Sequence, residues 1–451
     1  MIPFGAGIVG ANRIGEELGV GKDVSAWIAA SYPLTQGAFV LVGGRIGALY
    51  GHKRILVLSG VWWVTWSLIN GFMPNIVGVC IARGLTGVGG GFMVPNAIAL
   101  IGINLPPGKS RNIAVGLFGA MAPIGAAGGS VFGGIFVQLT PWKWLFFFLA
   151  ILGAVDFGIV ALVVDSEERQ SNLNESMDWV GAYLGVTGLI LFNFVWNQAP
   201  SVGWQNPYEY VLLIVALAHL VAFIAWEGKF AKYPLLPLNI WTAPSFGVLM
   251  IVALFAFMAF GALIWYLTLW FLTIRNWSLL LAAAGVTPLT VLGAVAAVLS
   301  SWLVPRLASQ YILAIGALCI IVSTTLVATM PAQQSYWPQA FPAAILMAFC
   351  PDFIFTAAQI VASNSVGKDK QRIAGSLIGT IMTYGMSIGL GFAGTVEKYT
   401  MLHNTDTVQG YRNALYLGIG MGVAALVLDL LFVRVAAEIK EGWDDEQTSE
   451  F

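Results

Sequence analysis

"GGRIGALYGHKR" (residues 43–54) separates two long apolar runs and carries Arg45, His52, Lys53 and Arg54 with no acidic residue. Cations confined to short connections between apolar runs are a topology signal, because Lys and Arg in short loops set which face of a bilayer protein stays cytoplasmic. The fold therefore turns on whether the flanking runs are long enough to cross. A hydrocarbon core of about 30 Å takes about 20 apolar residues of helix. Measured so, the chain predicts thirteen full spans near 25–48, 54–73, 76–103, 113–137, 144–164, 179–198, 209–227, 246–272, 280–304, 311–330, 339–364, 373–396 and 412–435. The opening "MIPFGAGIVGA" covers only about half the core at about 1.5 Å per residue. It reads as the end of a first helix whose beginning lies outside this chain, which would give fourteen spans in a longer protein.

Composition agrees with a polytopic membrane protein that is all α-helix. Only 10% of the 451 residues are charged and 58% are hydrophobic, against roughly 25% charged in a soluble domain. The 17 Trp and 52 Gly suit interfacial anchoring and close helix contact. A net charge of -1 offers no basic field for nucleic acid. Cys80, Cys319 and Cys350 stand alone in apolar runs, and His52, His219 and His403 are far apart, so no metal-ligand spacing is present. No nucleophile triad, Walker loop or dinucleotide fingerprint appears. The expectation is a non-enzyme without cofactor.

Alternate loops differ in basic content. The set containing "GHKR" holds thirteen Lys and Arg and the opposite set six, which puts "GHKR" in the cytoplasm. Asn174 begins an Asn-Glu-Ser triplet in the polar loop 165–178, which the same count makes cytoplasmic and free of glycan. The acidic tail 437–451 reads as a solvated cytoplasmic end. The chain thus divides into a helical unit over 1–164, the loop 165–178, a helical pair with its connection over 179–245, a second helical unit over 246–436, and the tail.

Several motifs then carry a family resemblance across nearly the whole chain. "GGRIGALYGHKR" resembles the loop between the second and third spans of the major facilitator superfamily, GxLxDRxGRK[RK]. Gly44, Ile46, Gly51, Lys53 and Arg54 fit, and His52 replaces a basic residue. The acidic position is Ala48 and the following Arg position is Leu49. In the family that acid latches the cytoplasmic ends of the helices, so the resemblance implies a weaker latch here. "ARGLTGVGGGFMVPNAIAL" (82–100) is similar to the superfamily's Arg-bearing helix. "GLFGAMAPIGAAGGSVFGGIF" (116–136) resembles the antiporter motif GxxxGPxxGG, with Pro123, Gly125, Gly128, Gly129 and Gly133 as its marks and Ala122 in place of Gly. "CPDFIFTAAQIVASNSVGKDKQRIAGSLIGTIMTYGMSIGLGFAGTVE" (350–397) and "FNFVWNQAPSVGW" (192–204) are similar to fungal members of the fourteen-span drug:proton antiporter group, in particular the aminotriazole and boron resistance permeases.

The resemblance implies the major facilitator fold, with two six-helix bundles plus two extra helices and a truncated first helix, rocking about a central cavity. It also implies proton-coupled export of a small solute, with protons and the lipid bilayer as partners, by a monomer in the plasma or vacuolar membrane. Arg83 and Asp352 are the expected coupling pair. Arg is costly at a helix centre and must face protein or water, so Arg83 either modulates a proton site or only ties helices together. A carboxylate within a membrane can take up and release a proton as its exposure alternates. Asp352 either does this or caps a helix after Pro351. Trp265, Tyr266 and Gln359 are candidate cavity contacts, with packing as the alternative for the aromatic pair. Asp156 and Asp429 read as helix-packing residues, with a part in transport as the alternative. Rival functions are a non-transporting membrane sensor or scaffold or an impaired truncated paralogue, which Ala48 and the short first helix favour, and a nutrient importer, which the sign of net flux separates from an exporter.

Overall fold

The computed structural model describes residues 1–105, 109–164, 176–243, 245–304, 306–366, 371–401 and 406–434. Asn174, His403 and the tail 437–451 lie outside them, as does most of the loop 165–178. The front of the chain forms α1 (Ile2–Glu17), α2 (Lys22–Tyr50), α3 (His52–Asn70), α4 (Ile76–Asn104), α5 (Lys109–Leu139) and α6 (Lys143–Val163). α7 (Trp179–Val202) and α8 (Pro207–Lys229) follow as a pair. The back comprises α9 (Phe246–Leu269), α10 (Leu279–Val286), α11 (Pro288–Leu303), α12 (Ser309–Thr329), α13 (Ala340–Ser365), α14 (Gln371–Thr400) and α15 (Thr407–Phe432). Among the described residues there is no β-strand.

Each of the thirteen expected spans coincides with helix, and the chain is a multi-pass membrane protein. Among the described residues, eleven stretches are long and apolar enough to cross a bilayer; α2 and α3 fall short of that apolarity for different reasons. α2 is wedged between α4 and α14, where Ser25, Ser31 and Gln36 are buried in protein. α3 has only 19 residues, with His52, Lys53 and Arg54 in its first turn. The expected span 280–304 is broken into α10 and α11, because Pro288 lacks an N–H for the preceding turn and suits a helix's first position. α9 continues through a π-helical turn, Trp270–Ile274. Asp178 caps α7, its carboxylate accepting from Gly181 N at 2.9 Å.

α1 to α6 pack chiefly on one another, as do α9 to α15, and the two sets meet along two seams: α2 against α14, and α5 against α10 and α11. Close approach at the first seam requires glycine, since a Cβ at Gly37 would lie 2.7 Å from Tyr384 N. α7 lies over the same seam, touching both α2 and α14. Its Asn193 and Asn197, four residues apart on one face, join there. Asn197 Nδ2 donates to Asn193 Oδ1 at 2.6 Å and to Ser387 O at 3.2 Å. Ser387 Oγ is 3.0 Å from both Asn193 Oδ1 and Ala30 O. Polar groups that would be costly against lipid thereby partner one another, with Asn193 Nδ2 left without a partner among the described residues.

Candidate functional site

The turn at Gly51 (φ 98°) lets α3 start directly after α2, in a backbone region that favours glycine. His52 points inward. Its Nδ1 is 2.7 Å from Oδ1 of the buried Asn96 on α4. Asn96 Nδ2 donates to Phe92 O at 2.6 Å and Gly43 O at 3.1 Å, so Oδ1 is the acceptor and the imidazole proton sits on Nδ1. Gly44 lies where a Cβ would come 2.9 Å from Ser376 Oγ of α14, so the motif glycine touches the opposite set of helices. Leu49 and Ile46 pack on a small apolar cluster of Val42, Met177, Ala182 and Leu235. The place of the superfamily-type arginine is thus taken by an apolar contact to the α7–α8 unit, and Arg54 is exposed.

Arg83 is 2% exposed. One of its Nη atoms donates to Pro3 O at 2.8 Å, and its guanidinium carbon lies 6.0 Å from the Phe146 ring centroid. Beside it is a void of about 10 Å³ lined also by Tyr32, Ser67, Asn70 and Thr86, about the room one water needs. Arg83 Nε and Asn70 Oδ1 have no hydrogen-bond partner among the described residues. These groups all belong to α1–α6.

Asp352 lies elsewhere. α13 runs through Pro351 without a break, so the helix-cap alternative fails: the residue is mid-helix, where the cap position does not exist. A Cβ added at Gly293 of α11 would be 2.5 Å from Pro123 Cβ and 3.6 Å from Asp352 Oδ2. Pro123 of α5, Gly293 and Asp352 therefore converge at the second seam, and Asp352 Oδ2 has no hydrogen-bond partner among the described residues. The structure brings Asp352 to the antiporter-type proline and not to Arg83. Gln359, two turns along α13, donates to Gly375 O of α14 at 3.1 Å. The glycines after Pro123 serve another contact: Gly125, Gly129 and Gly133 face Met1, Ile2 and Ala6 of α1, while Gly128 meets only Phe132 of its own helix.

Trp265 and Tyr266 are both buried, Tyr266 completely. Tyr266 Oη donates to Glu397 Oε2 at 2.6 Å. Glu397 begins a knot at the end of α14: Lys398 pairs with Asp23 of α2 at 3.3 Å, and Tyr399 Oη accepts from Trp204 N, between α7 and α8, at 2.8 Å. Three consecutive side chains thus reach α9, α2 and the α7–α8 connection. Of the remaining acids, Asp156 is exposed on α6, whereas Asp429 is fully buried with neither carboxylate oxygen partnered among the described residues. Sequence reasoning passed over Glu397 and Asn96. The signals were a lone acid closing a long apolar helix and an Asn after Pro95 inside another.

The profile of the Major Facilitator Superfamily matches residues 4–390. The chain belongs to this superfamily. A low affinity ammonium transporter of Saccharomyces cerevisiae is 38% identical over 92% of this chain and 83% of its own length. An aminotriazole resistance protein of the same yeast is 33% identical over 94% of this chain and 79% of its own length. The human organic anion transporter MFSD10 superposes with a TM-score of 0.63 at 14% identity, covering 94% of this chain and 89% of its own. The superfamily fold gives the two seams their meaning: they are where one set of helices meets the other, and Asp352 with Pro123 lies on one, Gly44 with Ser376 on the other.

Proposed function

We propose that this transporter exports small toxic solutes by alternating access, with inward proton movement as the driving force and Asp352 as the proton-carrying group. One observation carries this reading: a buried carboxylate, short of a hydrogen-bond partner on one oxygen, sits where α5 of the first bundle meets α11 of the second. A rocking motion that separates or joins this seam changes the solvation of the carboxylate, and so couples proton release to conformation. Arg83 acts within the first bundle by holding α1 to α4, with its influence on coupling transmitted through helix position. Aminotriazole-like heterocycles and boric acid are the favoured substrates, the plasma membrane the favoured location, and a monomer the working unit.

The test is loss of aminotriazole or boron from preloaded, exporter-deficient yeast expressing the chain, with and without an uncoupler. Faster loss that the uncoupler cancels supports export coupled to protons. An inserted chain that gives no extra loss of either solute overturns the substrate assignment. The similarity to an ammonium transporter favours a second reading, uptake of a small nitrogenous nutrient. Net inward flux of ammonium, with no outward flux of heterocycle, selects it.

A further inference from the structure

At the end of the bundles opposite the "GHKR" loop, a cavity of about 330 Å³ opens between the two helical sets. It lies within the usual range for small-molecule pockets, at the lower end. Its walls come from α1 (Asn12, Arg13, Glu16), the end of α5 (Gln138), the π turn after α9 (Leu272, Thr273) and the segment entering α10 (Trp277, Ser278, Leu279).

Five observations set this place apart. Asn12 is 8% exposed, and its Oδ1 accepts from no donor among the described residues, an arrangement with a cost unless a ligand or water supplies the donor. Trp277 forms a fixed wall: its ring stacks on Phe271 at 4.5 Å and 14°, and the Arg275 guanidinium lies over both rings at 5.5 and 5.6 Å. The backbone is bent to place that wall, by the π turn Trp270–Ile274 and by Asn276 at φ 52°. Both are features found disproportionately at functional sites. The charges around the mouth balance two against two, since Arg13 lies 3.6 Å from Glu16 and 3.4 Å from Glu17, and Arg275 is the second cation, beside the Trp277 wall. Gln138 ties the wall together by accepting from Leu280 N at 3.0 Å.

We infer that this cavity is a binding site for a small, uncharged, flat heteroaromatic solute bearing an N–H donor. The ring lies on Trp277 between Leu272 and Leu279, and the N–H donates to Asn12 Oδ1. A compensated mouth gives no preference for an anion or a cation, and an aromatic wall beside an unpartnered buried acceptor suits a planar N–H donor over a compact hydrated ion. Because the walls belong to both bundles, the site is a station on the release side of the pathway, and its assignment to the exported solute rests on the proposed export function.

The test uses the purified full chain in nanodiscs with Cys80, Cys319 and Cys350 replaced by Ala and one cysteine introduced, Leu279→Cys. Labelling by a hydrophilic maleimide is followed with aminobenzimidazole or aminotriazole present, and Thr400→Cys at the same end serves as the reference position. The expected result is protection of Leu279→Cys, with Thr400→Cys unaffected. Adding Asn12→Leu is expected to raise the half-protecting concentration about tenfold, the cost of an orphaned partner. Trp277→Leu, which leaves Asn12 in place, is expected to shift it in the same direction, so the proposal does not hang on one variant folding. Equal labelling with and without the heterocycles, equal protection at both positions, insensitivity to both variants, or protection by ammonium chloride alone would each overturn it. No transport is needed for this measurement: protection without flux in yeast removes the export reading and leaves the site, and flux without protection removes the site alone.

Discussion

Tyr266 and Glu397 are joined by a 2.6 Å hydrogen bond between α9 and α14, and the groups around that carboxylate come from several helices. Tyr411 of α15 packs edge-on to Tyr266 at 5.3 Å and meets Thr273 Oγ1 at 3.1 Å, while Lys22 and Asp23 approach from α2 and Lys398 is the next residue. A buried hydrogen bond of this kind contributes about 0.5–1.5 kcal/mol net. Tyr266→Phe is expected to lower stability by about that much at neutral pH, with much less effect in a Glu397→Gln background. A double-mutant cycle of thermal inactivation in nanodiscs checks it; additivity within about 0.5 kcal/mol would mean the pair is not coupled.

Asp352→Asn keeps the shape of the side chain and removes its titration. Solute flux in the variant is expected to lose its dependence on pH and on the proton gradient, while solute binding persists. Reconstituted vesicles with imposed pH gradients provide the measurement. A pH profile identical to the parent's would take Asp352 out of the coupling mechanism.

Arg83→Lys replaces a planar fork by a point charge, which can reach the Pro3 carbonyl or the water-sized void but not serve both. Flux driven by a proton gradient is expected to fall more than solute exchange, which needs no net proton movement. Equal loss of the two would indicate a purely structural role.

Gly37→Ala puts a methyl group against Tyr384 backbone and is expected to cost about 1–3 kcal/mol as overpacking. Gly379→Ala, on the same seam, meets only Val40 at an ordinary 3.4 Å and is expected to stay within about 0.5 kcal/mol of the parent. Thermal midpoints of the two variants make the comparison, and equal values would mean that the seam yields more readily than its geometry implies.

Ala48→Asp restores an acid to the "GHKR" motif. An ion pair near the surface contributes about 0–1 kcal/mol, so the expected effect is a shift in opening and not in folding. Labelling of Ser376→Cys, which faces Gly44, is expected to slow by up to about fivefold. An unchanged rate would count against a latch at this position.

The helices were legible because each apolar run is long, and because Gly, Pro and the basic loops punctuate them. Asp352 was legible as a lone acid in such a run, but its neighbours were not. Its meeting with Pro123 and Gly293 depends on how three helices from distant parts of the chain pack, which no local pattern encodes. Tyr266 carried two readings in sequence, solute contact or packing within the span, and only the packed helices show its side chain enclosed and bonded to Glu397. The break between α10 and α11 had a local signal, "VTPL" at 286–289, outweighed in the reading by the length of the surrounding apolar run. Leu49 reads in sequence as a missing charge, and only the packed α7–α8 unit reveals the apolar contact that stands in its place.

The knot at residues 397–399 has a consequence for how that end of α14 can respond. Glu397, Lys398 and Tyr399 are consecutive, so a displacement that frees one strains the bonds of the other two. A gradual loosening gains little until all three have given way, and separation at that end should follow a threshold, with few partly opened forms between its two limits.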